Sequence, residues 1–350
     1  MTKRPRFRAV IIAVAIAGTA YAGWQVSRNE VNATALLSAD AAPAPMNDPI
    51  AQFDATGLTL PRSDIIAGGP PKDGIPSLTA PTTAPVDRAD FLQPNDRVIV
   101  VTVDDQTRGY PIAILTWHEV INDELAGVPV AVVYCPLCDS VTVVDRRIGG
   151  KTLEFGISGL LHNSNVLLYD RTDNALWSQL GFRAVSGPKV GRALRHLPWE
   201  LITFKALRER YAKATVVTNQ TGHRRDYSQD PYGDYFATDR LMFPVAHHDA
   251  RLKAKERVVG ICVGDVCRAY PVQRILDARG RTITDQLGGQ RVELQADASG
   301  GVRIVQAPRD ARVAHSFWFA WAAFHPNTEL SNGVGEQVTP ATNRSDRAND

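Results

Sequence analysis

Arg108-Gly109-Tyr110-Pro111-Ile112 recurs as Arg268-Ala269-Tyr270-Pro271-Val272. Farther on, Ile121-Asn122-Asp123-Glu124-Leu125 recurs as Ile283-Thr284-Asp285-Gln286-Leu287, and Gly127 and Val130 recur as Gly289 and Val292. The offset drifts from 160 to 162, as an inserted loop would make it. Matched runs at a steady spacing indicate a repeated supersecondary unit, here about 99–134 and 258–296. In the first copy Ile99, Val101 and Val103 alternate up to Asp104-Asp105; in the second, Val258, Val259 and Ile261 lead to Gly264-Asp265. Each is a hairpin signal with a two-residue turn. The Tyr-Pro step then precedes a short helix (Ile112 to Val120; Ile275-Leu276 in the second copy), followed by a strand such as Val128 to Tyr134.

Most of the remaining periodic stretches are strands: Val141 to Arg147, Thr152 to Ile157, Asn165 to Asp170, Val216 to Asn219, Arg291 to Gln295 and Arg303 to Ala307. Two further helices are expected, Thr203 to Tyr211 with Thr203 as its cap, and Phe317 to Phe324, stopped before Pro326. The expected fold is α+β and strand-rich, one domain over 86–330 with two degenerate β-hairpin/helix/strand repeats.

The 350-residue chain is 44% hydrophobic and 22% charged, an ordinary globular composition. Its mean hydropathy of -0.17 excludes a polytopic membrane protein. There are 39 Lys and Arg against 37 Asp and Glu, and four of the positives (Lys3, Arg4, Arg6, Arg8) lie in the first eight residues. The near-neutral body carries no electrostatic footprint for nucleic acid. Those four cations precede an apolar run from Ala9 to Gly23 that ends in Ala20-Tyr21-Ala22, the layout of a secretory signal. Residues 1–22 are read as a cleaved signal or a retained inner-membrane anchor, and both put the body in the periplasm or otherwise outside the cytoplasm. Residues 23–85 are rich in Ala and Pro and read as a spacer with a few docked pieces, Ile65-Ile66-Ala67 among them. Residues 331–350 read as a polar tail.

The four cysteines form two pairs. Cys262 and Cys267 bracket the Gly264-Asp265 turn and face each other across the hairpin, where Thr102 and Thr107 stand in the first copy. The spacing and an oxidising compartment point to a structural disulfide, with metal ligation or a free redox pair as alternatives. Cys135 and Cys138 lie in Tyr134-Cys135-Pro136-Leu137-Cys138-Asp139 after an apolar strand. Such a C-x-x-C serves a reversible dithiol, half of a metal site, or a plain structural pair; haem attachment is excluded because Asp139 stands where His is required. Since another strand follows, no helix N-terminus is available to stabilise a thiolate.

Trp117-His118-Glu119, Asn122-Asp123 and Tyr134-Cys135-Pro136-Leu137-Cys138 resemble the prokaryotic domain-of-unknown-function family DUF3179, the YCPLC-motif proteins. So do Ser158-Gly159-Leu160-Leu161, Asn163-Ser164-Asn165, Tyr169-Asp170-Arg171, Leu176-Trp177-Ser178-Gln179, Arg225-Asp226-Tyr227-Ser228 and Phe317 to Trp321. The resemblance spans roughly Asp87 to Glu329 and implies membership without implying a reaction. Cys262 and Cys267 fall outside its pattern.

The leading expectation is an exported thiol-redox protein. Cys135 attacks, Cys138 resolves, and His118 or Asp139 tunes protonation. Substrate contacts are expected from Glu119, Asn122, Asp123, Tyr134, Asn163, Ser164, Asn165, Trp177, Arg225, Asp226 and Tyr227. Asn122 stands where H-E-x-x-H needs its second His, so a zinc protease is excluded. No cofactor is expected; a copper or zinc ion bound by Cys135, Cys138 and His118 is the alternative, and a non-catalytic envelope binding module the third reading. The partner is an unidentified small molecule or thiol protein.

Overall fold

The computed structural model describes residues 48–277, 282–296 and 301–332. The signal or anchor at 1–22 and nearly all of the polar tail lie outside them. Among the described residues, twenty-three strands build three sheets and a small ribbon. The first sheet holds β3 (Thr83–Pro85), β4 (Arg97–Val103), β5 (Gln106–Pro111), β15 (Trp199–Thr203), β16 (Thr215–Val217), β19 (Thr282–Leu287), β20 (Gln290–Ala296) and β21 (Val302–Gln306). The second holds β2 (Leu78–Thr79), β6 (Val120–Leu125), β7 (Val128–Cys135), β8 (Ser140–Asp145), β17 (Arg257–Val263), β18 (Val266–Pro271), β22 (Arg312–Phe317) and β23 (Glu329–Leu330). A five-stranded sheet contains β1 (Ile65–Ala67), β11 (Phe155–His162), β12 (Asn165–Asp170), β13 (Leu176–Ser178) and β14 (Arg183–Ala184), while β9 (Arg147–Ile148) and β10 (Lys151–Thr152) pair with each other. The helices are short: α1 (Ile112–His118), α2 (Phe204–Arg210), α3 (Gly233–Phe236), α4 (Val272–Asp277) and α5 (Trp318–Phe324).

The order of the two large sheets is informative. One runs β19-β20-β21-β15-β4-β5-β16-β3 and the other β2-β6-β7-β8-β22-β17-β18-β23. The stretches that match in sequence each run hairpin, helix, hairpin. Each places its first hairpin in one sheet and its second in the other, so every large sheet mixes strands from both stretches. Arg108 and Tyr110 on β5 bond Asp123 on β6, at 2.6 Å and 2.8 Å. Arg268 and Tyr270 on β18 bond Asp285 on β19 in the same manner. The matched Arg-x-Tyr and Asp thus tie the two sheets together at two places.

Strand parity sets the layers. On β7, Val130, Val132 and Tyr134 join a core with Ile99, Val101, Ile261 and Leu294. Ala131, Val133 and Cys135 point the other way and pack with Phe155, Val166, Leu168 and Trp177 of the five-stranded sheet. Because both faces are buried, the strand reads as a continuous apolar run rather than an alternation. On the far side of the first sheet, Val98, Val100 and Ile202 pack with Phe204 and Leu207 of α2. Thr203 caps that helix by accepting from the Ala206 N–H at 3.2 Å, as expected.

Within 23–85, the docked strand expected at Ile65-Ile66-Ala67 is β1, and docking extends to further residues of the described part. Ile50, Phe53 and Ile65 are buried against Leu160, Leu167 and Leu176, and β1, β2 and β3 pair with β11, β6 and β16. Isolated apolar residues among prolines gave no periodicity, yet each fills a slot on a sheet that the rest of the chain provides. No helix among the described residues is long and apolar enough to cross a membrane.

Candidate functional site

Cys135 ends β7, Pro136–Cys138 forms one 3-10 turn, and Asp139 (φ 44°) turns the chain into β8. The parity of β7 aims Cys135 at the five-stranded sheet. There the β11–β12 turn presents Asn163 and Ser164, both at positive φ. Glu119, after α1, is also at positive φ (57°) with its N–H bonded to Leu115 and its carbonyl to Tyr134 N. Asn163 and Ser164 take the positive φ of a two-residue hairpin turn, and Asp139 and Glu119 reverse the chain after the C-x-x-C turn and after α1.

Both thiols are free and buried. Burial alone pushes the Cys135 thiol up, but donors converge on its sulfur: the Cys138 thiol and the backbone N–H groups of Val166, Cys138 and Leu137. Together they hold Cys135 below the ordinary thiol range. Cys138 moves the opposite way. Burial raises it well above the usual value, its role as donor to Cys135 and the nearby Cys135 charge add to this, and Asn165 offsets only part. The Cys138 Sγ also lies 3.2 Å from the Ser164 carbonyl oxygen, a second acceptor competing for its single proton and likewise favouring the protonated thiol. The nest of backbone N–H groups replaces the helix N-terminus that the sequence lacks at this point.

Glu119 is buried beside this pair. Burial, and then the charge on Cys135, raise its carboxyl well above the usual range and favour its protonated form. Asp139 is different. Its buried carboxylate is bonded by Arg97 Nη1 (2.8 Å), Arg257 Nε (2.6 Å) and Tyr134 Oη (3.0 Å). Burial would raise it, but Arg97, and with it Arg257, hold it below the carboxylate range. It is an ionised anchor for the turn, with no proton to exchange near neutrality.

Asn165 also knits the base of the site. Its amide nitrogen donates to Gln179 Oε1 (2.8 Å) and Ser140 Oγ (3.1 Å), and its carbonyl oxygen accepts from Leu180 N. A segment of irregular backbone around α3 covers the sulfurs. Tyr235 Oη donates to the Leu137 carbonyl at 2.8 Å, Ser164 Oγ to the Phe243 carbonyl at 3.0 Å, and Ala246 N to Asn163 Oδ1 at 2.8 Å. Tyr235 and Val245 are buried with the cysteines in one apolar cluster.

The other expected site residues lie in separate arrangements. His118 Nδ1 donates to the Pro76 carbonyl (2.7 Å), which leaves Nε2 to accept from Tyr227 Oη (2.7 Å). Its pKa falls to about 4 through burial. With both nitrogens engaged, its ring is committed to Tyr227, His223 and the Pro76 loop rather than to the thiols. Arg225 stacks on Trp117 at 5.8 Å, and exposed Asp226 accepts from Ser228. Asn122 pairs with both backbone groups of Phe155, docking β11 on β6. Asp123 holds Arg108, and Trp177 Nε1 donates to Asp170. The sequence reading missed Tyr235 and the Val166 N–H, because nothing local singles out a tyrosine in a polar loop or a backbone amide; Gln179 entered only as part of the motif Leu176-Trp177-Ser178-Gln179, without a role.

The second pair is a disulfide. Cys262 and Cys267 are register partners on β17 and β18, bonded, with Cα atoms 4.1 Å apart. In the matched hairpin, Thr102 and Thr107 occupy the same register and share a hydroxyl hydrogen bond of 3.0 Å.

These features define a strand-rich α+β protein with a stapled hairpin and a buried, electrostatically asymmetric dithiol. The sequence profile of the family described as "Protein of unknown function (DUF3179)" matches residues 72–312, and the chain belongs to that family. No curated protein matches the chain. No solved structure matches it.

Proposed function

We propose that the protein is a thiol oxidoreductase that works outside the cytoplasm. The observation that carries this reading is the opposed environment of the two sulfurs: Cys135 collects donors while Cys138 is held protonated. The Cys135 thiolate attacks one sulfur of a disulfide substrate and expels a thiolate, giving a mixed disulfide. Cys138 loses its proton and attacks the Cys135 sulfur, which releases the second substrate thiolate and leaves the Cys135–Cys138 disulfide. Two electrons pass to the substrate. Glu119, whose buried carboxyl beside Cys135 is biased toward its protonated form, supplies a proton to a departing thiolate and can later regain it. The covering segment must move aside for substrate. The export reading rests on Lys3 to Ala22 and is checked by whether a reporter fused after residue 350 is active only beyond the inner membrane.

The test uses the full chain. With a small aromatic disulfide as probe, Cys138→Ser should trap a mixed disulfide on Cys135, identified by peptide mass. Cys135→Ser should trap none. The reading fails if both thiols of the native protein stay reduced and inert to mild oxidant and to the probe.

A further inference from the structure

His325 follows α5, and its ring lies against the disulfide. Its Nε2 is 3.1 Å from the Leu180 carbonyl oxygen, which can only accept, so Nε2 carries the proton. The Nδ1 lone pair therefore faces the sulfurs, at 3.7 Å from Cys267 Sγ and 3.9 Å from Cys262 Sγ. A carbonyl that fixes the tautomer of an imidazole is the usual second partner of a metal-binding histidine. The ring is further held by Trp321, centroids 4.0 Å apart, and by stacking on Phe182 at 5.4 Å. Trp321 in turn sits over Gly260, where a Cβ would meet its ring at 2.3 Å. Among the described residues, these are the one set of three His, Cys or carboxylate donors within 4.8 Å of one another.

The spacing suits a tetrahedral ion. Zinc takes sulfur at about 2.3 Å and imidazole nitrogen at about 2.0–2.1 Å, which puts N and S about 3.6 Å apart and two sulfurs about 3.8 Å apart. The nitrogen-to-sulfur distances are already near that value. Only the sulfurs must separate, by rotation about their Cα–Cβ bonds.

The matched hairpin serves as an internal control. There the cysteines are Thr102 and Thr107. The residue ending the helix after β15 is Tyr211, with φ -129° and ψ 61° against -130° and 67° for His325. Tyr211 bonds Glu200 instead. The fold closes this corner without any of the three donors, so all three are additions at one of two like positions.

We propose that Cys262, Cys267 and His325 form a site for a thiophilic d10 cation, zinc or cuprous copper, that the disulfide closes and reduction opens. A dithiol reductant delivers two electrons and two protons to the disulfide and leaves as its own disulfide. A zinc ion then displaces the two thiol protons and takes Nδ1 as third ligand. Its fourth position remains open to water or a further ligand.

The experiment reduces the full-length protein with a dithiol, removes the reductant without oxygen, adds one equivalent of Zn2+ and alkylates, with peptide masses read separately for each cysteine. Zinc should slow alkylation of Cys262 and Cys267 at least tenfold. His325→Gln should restore the zinc-free rate while still forming the disulfide on oxidation. Should that variant fold poorly, the double variant Cys262→Thr and Cys267→Thr, copying the matched hairpin, should melt like the reduced parent and bind one zinc fewer. The proposal is overturned if zinc leaves both rates unchanged, if His325→Gln is protected as well as the parent, if the double variant binds as much zinc as the parent, or if the disulfide opens only when the far-ultraviolet circular dichroism is lost. The Cys135 peptide reports on the other thiol pair in the same digest, so the two readings stand or fall separately.

Discussion

The hydroxyl of Tyr235 donates to the carbonyl oxygen of Leu137, the residue just before Cys138 in the C-x-x-C loop, at 2.8 Å. A side chain from the covering segment is thereby bonded to the loop that carries both thiols. A net hydrogen bond contributes about 0.5–1.5 kcal/mol, and about 1.4 kcal/mol is a factor of ten. Tyr235→Phe keeps the ring and deletes the bond. It should speed iodoacetamide labelling of Cys135 in the native protein by up to about tenfold. An unchanged rate would mean that this segment does not govern access.

Glu119→Gln tests the buried carboxyl. An unfolded glutamate ionises near pH 4.3, whereas in the fold burial, and then Cys135, raise the Glu119 carboxyl well above its ordinary value. Between the two values the folded state binds more protons than the unfolded one, so stability falls as pH rises. The near-isosteric amide removes that loss. The melting temperature of the variant should match the parent near pH 4 and exceed it by roughly a few degrees at pH 8. In probe-disulfide exchange the same variant should be slower than the parent, because the proton held beside Cys135 is gone.

Buried histidines predict an acid limb of opposite sign. His196 and His315 are both held to about 4 by burial, and His118 likewise. Unfolded histidine titrates near 6.5, so from there down toward 4 the unfolded chain binds protons that the folded chain refuses. Stability is present above 6.5 and is lost as pH falls through this window. Each histidine adds up to about 1.4 kcal/mol per pH unit to the slope. Urea midpoints measured from pH 7 to pH 4.5 should fall steadily, and less steeply in His196→Gln.

Asp123 and Asp285 hold equivalent arginines between the large sheets, with unequal backup. Arg268 also pairs with Glu329, while among the described residues the carboxylate bonds of Arg108 all go to Asp123. Removing one partner of a buried pair costs about 3–5 kcal/mol because the other charge is stranded. Asp123→Ala should approach that cost. Asp285→Ala should cost less, and the gap should close when Glu329→Ala is added. Equal costs in chemical denaturation would contradict this.

Strand-rich character, both hairpins with their two-residue turns, the cap at Thr203 and the facing of Cys262 and Cys267 were legible in the chain, since they depend on period-two alternation, turn chemistry and neighbours close in sequence. The C-x-x-C was visible as a motif for the same reason. Which groups surround it was not. His118 and Glu119 are adjacent, yet the turn at Glu119 sends the carboxyl toward Cys135 and the imidazole toward Tyr227. Asp139 looked like a proton carrier until Arg97 and Arg257, 42 and 118 residues away, were brought to its oxygens.

By itself the sequence determined local conformation and family, because hydrogen-bonding period and turn geometry are written in short windows. The exchange of hairpins between the two sheets, the donors on Cys135 and the imidazole beside Cys262 were decided only in three dimensions. A buried group takes its charge and its partners from whatever distant segments exclude water around it, and no window of the chain contains them.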